Sequence, residues 1–186
     1  MNKPLSLVWS ALLLLAMVAS GWAEEAPQKI KDLAQNQLTA YGKEPVIVEA
    51  VKAENAKGKT LDQIKALDAK WMATPGISAD MKALMESQCG KFLRDLQKSS
   101  PYFLEIFVMD HQGANVALTE KTSDYWQGDE AKFQKSFNGG TGAIFVDAVK
   151  FDESTQAYQV QVSVPVMDGD QAIGAITLGI DVDKVP

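Results

Sequence analysis

The sequence predicts an α+β protein: a run of N-terminal helices followed by a five-stranded antiparallel sheet. Three observations predict it. From residue 28 to residue 98 apolar side chains recur at i, i+3, i+4 and i+7, the spacing of an amphipathic helix. After Ser99, Ser100 and Pro101 the period falls to two, the spacing of a strand buried on one face. The breaks in this second half, Asp110 to Gly113 and Asp168 with Gly169, are hairpin-length, which suits antiparallel neighbours rather than crossovers.

Residues 1–23 read as a secretory leader. Lys3 gives a basic start, residues 5–19 are apolar apart from Ser6 and Ser10, and Gly21 and Ala23 are small residues before a cut after Ala23. Fifteen apolar residues fall short of the roughly 20 that span a bilayer. Retention of this segment as an anchor is the alternative; no Cys near the cut offers a lipid attachment. The expected mature chain, residues 24–186, is a single periplasmic or secreted domain, helical over about 28–98 and stranded over about 101–184.

The elements follow in order. Ile30, Leu33, Ala34, Leu38 and Tyr41 define a first helix stopped by Gly42. Pro45 opens a second at its first turn, where a missing N–H costs nothing, with Ile47, Ala50 and Val51 inward. Thr60 and Gln63 make a capping-box pair for a third helix bearing Leu61, Ile64, Leu67, Trp71 and Met72 on one side. A fourth runs from Ser78 on a stripe of Met81, Leu84, Met85, Cys89, Phe92, Leu93 and Leu96. Residues 102–109 and 114–119 form a hairpin. A polar stretch, 120–128, leads to a short helix over 129–137, capped by Asp129. Residues 143–151, 158–166 and 172–182 complete the sheet, with Tyr158, Val160, Val162, Val164 and Val166 alternating against Gln159, Gln161 and Ser163. Helices cover one sheet face, and the connection after the second strand covers the other. Any concavity between them is the natural small-molecule site.

Composition removes several function classes. Lys and Arg number 18 against 24 Asp and Glu, a net charge of −6, whereas nucleic acid needs a basic stripe. One Cys and one His exclude an internal disulfide, a CxxC pair and any metal site needing two imidazoles. Residues 138–142 are glycine-rich but precede a strand and lack the Lys-Ser/Thr of a phosphate loop. Asp168 to Asp170 is a turn without the Glu of a calcium loop. No nucleophile elbow or zinc-protease motif occurs, so no catalytic set and no cofactor are expected.

Two stretches, Asp110 to Thr119 and Thr122 to Phe133, resemble the extracytoplasmic Cache (PAS-like, PDC) sensor domains of bacterial chemoreceptors and histidine kinases. Residues 151–155, 162–166 and 173–177 resemble that family's last strands, and Gln63 to Trp71 its leading helix. The resemblance spans most of residues 28–184. It implies a PAS-like sheet behind long N-terminal helices and a non-enzymatic signal-transduction module that binds a carboxylate, amino acid or amine. Such sensors usually continue through the membrane into an output domain. This chain stops at Pro186, so the expected recipient of the signal is a separate membrane receptor or kinase.

Tyr125 and Trp126 are the expected ligand wall, set in the long polar connection between Asp124 and Asp129. Lys121 is a candidate for a ligand carboxylate, with solvation as its bland role. Asp147, in phase with Phe145 and Val149, is a candidate for an amine or for pairing with Lys121. Glu105, between Phe103 and Phe107, and Ser163, opposite the valines, are candidates on the sheet. His111 reads as an exposed turn residue and Cys89 as a small buried hydrophobe. The first helix, through Ile30, Leu33 and Leu38, is expected to form a homodimer or dock on a partner. The rival expectation is a structural or regulatory protein whose sheet pocket is filled by its own side chains.

Overall fold

The computed structural model describes residues 24–152 and 156–186. The expected leader and the Glu153–Thr155 part of the expected turn lie outside the described residues.

Helix α1 (Gln28–Asn36) turns Ile30, Leu33 and Ala34 inward. It does not run on to Tyr41: Gln37 leaves helical geometry at φ −128°, and a 3-10 turn over Leu38–Lys43 follows. Leu38 is thereby carried into the core, 1% exposed. The apolar set behind the dimer expectation, Ile30, Leu33 and Leu38, is therefore spent inside the chain. Helix α2 (Pro45–Asn55) starts on its proline and buries Ile47 and Val51.

Helix α3 (Leu61–Ala73) opens with the capping box: Gln63 N donates to Thr60 Oγ1 at 3.3 Å, and Thr60 N to Gln63 Oε1 at 2.9 Å. Of its expected stripe only Ile64 and Trp71 are buried, while Leu61, Leu67 and Met72 are exposed. The reason is what α3 meets. Trp71 Nε1 donates to Thr122 O (2.8 Å), and Asp68 Oδ1 accepts from Tyr125 N (2.8 Å) and Trp126 N (3.1 Å). This helix docks on a narrow loop, which covers one row of side chains. The stripe expected from Met81 to Leu96 is divided between α4 (Ala79–Glu86) and α5 (Gln88–Lys98). Ser87, at ψ 163°, ends the first and caps the second, its Oγ accepting from Gly90 N at 2.9 Å. A serine that offers the backbone such a bond competes with helix continuation.

The sheet holds β1 (Phe103–Met109), β2 (Asn115–Leu118), β3 (Phe145–Val146), β4 (Lys150–Asp152), β5 (Ala157–Asp168) and β6 (Gln171–Asp181). Their order is β2-β1-β6-β5-β3, with β4 also on β5, and every pairing is antiparallel. The α+β class stands; the expected third strand is two short ones, so six strands fill five positions. Asp147 makes the break. Its carboxylate accepts from Ala148 N (2.8 Å) and Lys150 Nζ (2.6 Å), while Val149 N turns to Glu24 O (2.8 Å).

One sheet face lies under α1, α2 and α5, where Ile106, Val108, Val160, Val162, Val164, Ile176, Leu178 and Ile180 are buried. Each such side chain contributes about 1.5–3 kcal/mol. The other face carries Phe107, Met109, Leu118 and Ala175. Tyr125 and Phe133 of α6 (Ala131–Phe137) cover it, as expected for the connection after β2, but so do Ile64 and Trp71 of α3 and Met81 of α4, helices expected on the first face. Two details differ from expectation. A register shift between Phe103 and Glu105 sends Phe103 to the helix-covered core and leaves Glu105 beside Phe107 on the opposite face. The α6 N-cap is Glu130, without a side-chain cap, rather than Asp129.

Candidate functional site

A groove of about 480 Å³ opens between the second sheet face and the segment from Lys121 to Lys132. Glu105 and Phe107 of β1 and Gln161 of β5 form its floor. Lys121, Thr122, Ser123, Gln127, Glu130 and Lys132 form its walls, with Asp152 of β4 at one end. A smaller outer chamber of about 240 Å³ shares Glu130, Asp152 and Gln161 and adds Asp147, Lys150 and Gln159.

The floor is built by strand alternation. In β5 the valines face the helices, so Gln159, Gln161 and Ser163 face the groove side. Glu105 and Gln161 both stand opposite Gly179 of the intervening β6. Gln161 Nε2 donates to Glu105 Oε1 at 2.9 Å. Gln159 Nε2 donates to the same oxygen at 3.3 Å and to Asp152 Oδ2 at 2.6 Å. Gly179 makes room for this: a Cβ there would lie 2.5 Å from Gln159 Oε1 and 2.6 Å from Glu105 Cγ. Burial holds the Glu105 carboxyl above the usual carboxylate range, with Asp152 pushing the same way. The amides of Gln161 and Gln159 and the ammonium of Lys132 oppose it only in part.

The walls are largely self-bonded. Thr122 Oγ1 and Gln127 Nε2 donate to Asp124 O, Ser123 Oγ donates to Asp124 Oδ2, and Lys121 Nζ donates to Thr74 O at 2.8 Å. Lys132 pairs with Glu130 at 3.0 Å and lies 5.3 Å from the centre of the Phe107 ring. Among the described residues four buried side-chain polar atoms have no partner: Gln127 Oε1 on the groove wall, Gln159 Oε1 in the outer chamber against Gly179, and Asn115 Oδ1 and Ser136 Oγ, which line neither. The loop is pinned to the β1–β2 turn, where Gly113 (φ 86°) approaches Gly128 so closely that a Cβ would sit 2.4 Å from its Cα.

The structure brings some of the candidates together and separates others. Glu105 and Lys121 line the groove, and Asp147 lines the outer chamber, paired with Lys150 rather than Lys121. Ser163 is fully buried, its Oγ 2.7 Å from Thr177 Oγ1 across the sheet. Tyr125 is 6% exposed, 5.6 Å from the Trp71 ring, and its Oη accepts from Lys59 Nζ at 3.2 Å. It lines a separate cavity of about 310 Å³ between α3 and α4. Trp126 and Asp124 line a third cavity with Lys65, Asp68 and Asp129; the indole donates to Gln112 O at 2.8 Å, and Lys65 Nζ lies 4.8 Å over the ring. His111 is an exposed turn residue, its Nδ1 2.6 Å from Asn55 Oδ1. Cys89 is buried, and burial pushes its thiol up to about 12.

Gln127, Lys132, Asp152, Gln159 and Gln161 were not singled out as site residues from the sequence. The alternation of the β5 glutamines against valines carried the signal for two of them. Among the described residues, no group of three or more His, Cys, Asp or Glu side chains is placed to share a metal ion. No described helix is long and apolar enough to cross a membrane.

No protein-family model matches the chain, and no curated protein matches it. Solved structures of similar arrangement are sensor domains of histidine kinases and chemoreceptors. The sensor domain of the V. cholerae histidine kinase DctB is 10% identical, with a TM-score of 0.40, covering 85% of this chain and 50% of that one. The sensory domain of the Campylobacter jejuni chemoreceptor Tlp3 is 16% identical, with a TM-score of 0.45, covering 85% and 64%. The E. coli DcuS sensor domain is 20% identical, with a TM-score of 0.41, covering 67% and 90%. The chain thus spans between half and two thirds of the DctB and Tlp3 domains.

Proposed function

We propose that this chain is an extracytoplasmic, non-enzymatic binding module. It takes a small metabolite into the groove between the second sheet face and residues 121–132, and passes occupancy to a separate membrane signalling partner. The observation that carries the reading is Glu105. An ionisable side chain is set on the sheet inside a cavity, and Gly179 leaves the space in which two glutamine amides hold it in place. A packed core has no use for such a group, because burying a carboxyl is costly unless something compensates it. Sites of this kind are concave, with a few convergent polar groups. The resemblance of Asp110–Thr119 and Thr122–Phe133 to Cache sensor domains supports the same reading. In it, Glu105 contacts the ligand in the groove and Asp147 at its outer mouth, while Lys121 borders the groove, held by Thr74 O. Tyr125 and Trp126 hold the wall segment in place from behind.

The test is thermal melting of the purified protein against separate sets of carboxylates, amino acids and amines. A ligand that binds only the folded state raises the midpoint. At least one set is expected to do so, with the bound compound recovered unchanged by mass spectrometry. A chemically altered compound would make the protein an enzyme. No shift with any set would favour a structural protein whose sheet face is already filled by Phe107, Tyr125 and Phe133, which do pack there.

A further inference from the structure

The hydrogen-bonding functions of the groove are unevenly spent. Each of its side-chain donor groups has at least one partner within the chain: Lys121 with Thr74, Thr122 and Gln127 with the Asp124 carbonyl, and Ser123 with the Asp124 carboxylate. Lys132 is engaged with Glu130, Gln161 with Glu105, and Gln159 with Glu105 and Asp152. The acceptors are not all engaged. Among the described residues Gln127 Oε1 is buried without a donor, and the Glu105 carboxyl takes part in no ion pair. A buried acceptor without a donor costs its full desolvation, about 1–3 kcal/mol. The partner that completes this site therefore brings N–H donors and positive charge.

Building on the ligand-binding reading above, we infer that the groove takes an organic primary ammonium ion. Its N–H groups bond to the Glu105 carboxylate and Gln127 Oε1, and its alkyl part lies along Phe107. A free carboxylate ligand would face Glu105, Glu130 and Asp152 with both groove lysines already held. A bare divalent cation would find no cluster of three His, Cys, Asp or Glu ligands among the described residues. Binding is coupled to the protonation of Glu105. Burial and Asp152 favour its neutral form in the empty groove, opposed by Lys132, Gln159 and Gln161. An incoming ammonium favours the anion, and the proton leaves to solvent. Of the other charged groups facing the site, Glu130 is bonded to Lys132 and Asp147 to Lys150.

The probes are n-butylamine, 1,4-diaminobutane, tetramethylammonium, succinate, L-alanine and magnesium chloride, each at millimolar concentration. The two primary amines are expected to raise the melting midpoint. Tetramethylammonium, with the same charge but no N–H, is expected not to. Titration calorimetry with 1,4-diaminobutane should give an affinity that rises from pH 5 to pH 7.5. Glu105→Gln should weaken it about 10- to 100-fold and flatten the pH dependence, while exposed Asp80→Asn leaves both unchanged. Far-UV circular dichroism and urea melting confirm that each variant is folded. Should Glu105→Gln not fold, Gln127→Leu, which removes one acceptor, is expected to weaken binding in its place. A shift with succinate or magnesium but not with the amines or alanine would overturn the ammonium assignment and leave the groove reading intact. Equal shifts with tetramethylammonium and butylamine would overturn the role of the acceptors. No shift with any probe or metabolite set would overturn both.

Discussion

Glu105 of β1 and Gln161 of β5 are not neighbours in the sheet, yet Gln161 Nε2 donates to Glu105 Oε1 at 2.9 Å across the strand that separates them. Both stand opposite Gly179 of β6. Flanking strands lie about 9–10 Å apart, and two long side chains close that gap only where the middle residue has none. The contact defines the floor of the groove, and it ties the site to a glycine that no ligand need touch.

Gly179→Ala is therefore expected to disrupt the floor. The added Cβ would meet Gln159 Oε1 at 2.5 Å and Glu105 Cγ at 2.6 Å. Overpacking of this kind costs about 1–3 kcal/mol. Urea denaturation should show that loss, without the gain in helix or strand stability that Gly→Ala gives at an open position.

Glu105 also sets a pH dependence. Its folded pKa is raised, chiefly by burial. The folded protein therefore binds more protons than the unfolded chain between the ordinary Glu value, about 4.3, and the raised one. Stability attributable to this group is intact below that window and falls as pH rises through it. Glu105→Gln removes the titration. The difference in stability between variant and wild type is expected to move in the variant's favour as pH rises from 4 to 8. An unchanging difference would show that Glu105 titrates normally.

The first helix and the 3-10 turn after it are expected to be indispensable for folding. Ile30, Ala34 and Leu38 are at most 1% exposed, and Leu33 is 7% exposed. Replacing Ile30 by Ala should cost about 2–5 kcal/mol. Removing residues 24–41 should abolish the cooperative transition in circular dichroism, since domains are stable by only about 5–15 kcal/mol. A truncated protein that melts cooperatively would place this helix outside the core.

Trp71 and Trp126 should separate in energy. Trp71 is 5% exposed, lies tilted against the Tyr125 ring and bonds to Thr122 O. Trp71→Ala should cost about 3–5 kcal/mol. Trp126 is half-buried in an open cavity, so Trp126→Ala should cost less in the same urea melts. Equal costs would make Trp126 a plug of the loop.

The reading of residues 1–23 as a leader makes its own prediction: protein recovered from its host is expected to begin at Glu24. Protein in the membrane fraction that still begins at Met1 would make residues 1–23 an anchor.

Much of the architecture was legible in the one-dimensional pattern, because periodicity is a local property. The valines of β5 against its glutamines, the capping box at Thr60 and the turn at Gly169 each act within a few residues, and each is found in the structure. The breaks at Gln37 and Ser87 were not legible. An apolar stripe continues through both, and only the fit of Leu38 and of α5 onto the sheet favours interrupting the helix. The division of β3 from β4 depended likewise on Asp147 meeting Lys150 and on Val149 meeting Glu24, a contact between distant parts of the chain.

By itself the sequence determined the α+β class, the helices-then-sheet order, the cover over the second face and the absence of a catalytic motif, and it marked Glu105, Lys121 and Asp147 as candidates. Only the tertiary structure decided that Glu105 meets Gln159 and Gln161 over Gly179, and that Tyr125 and Trp126 open onto other cavities. Strand order is the physical reason. β6 lies between β1 and β5, so residues 54 and 56 positions apart in the chain meet on one sheet face, and no local spacing records which strands become neighbours.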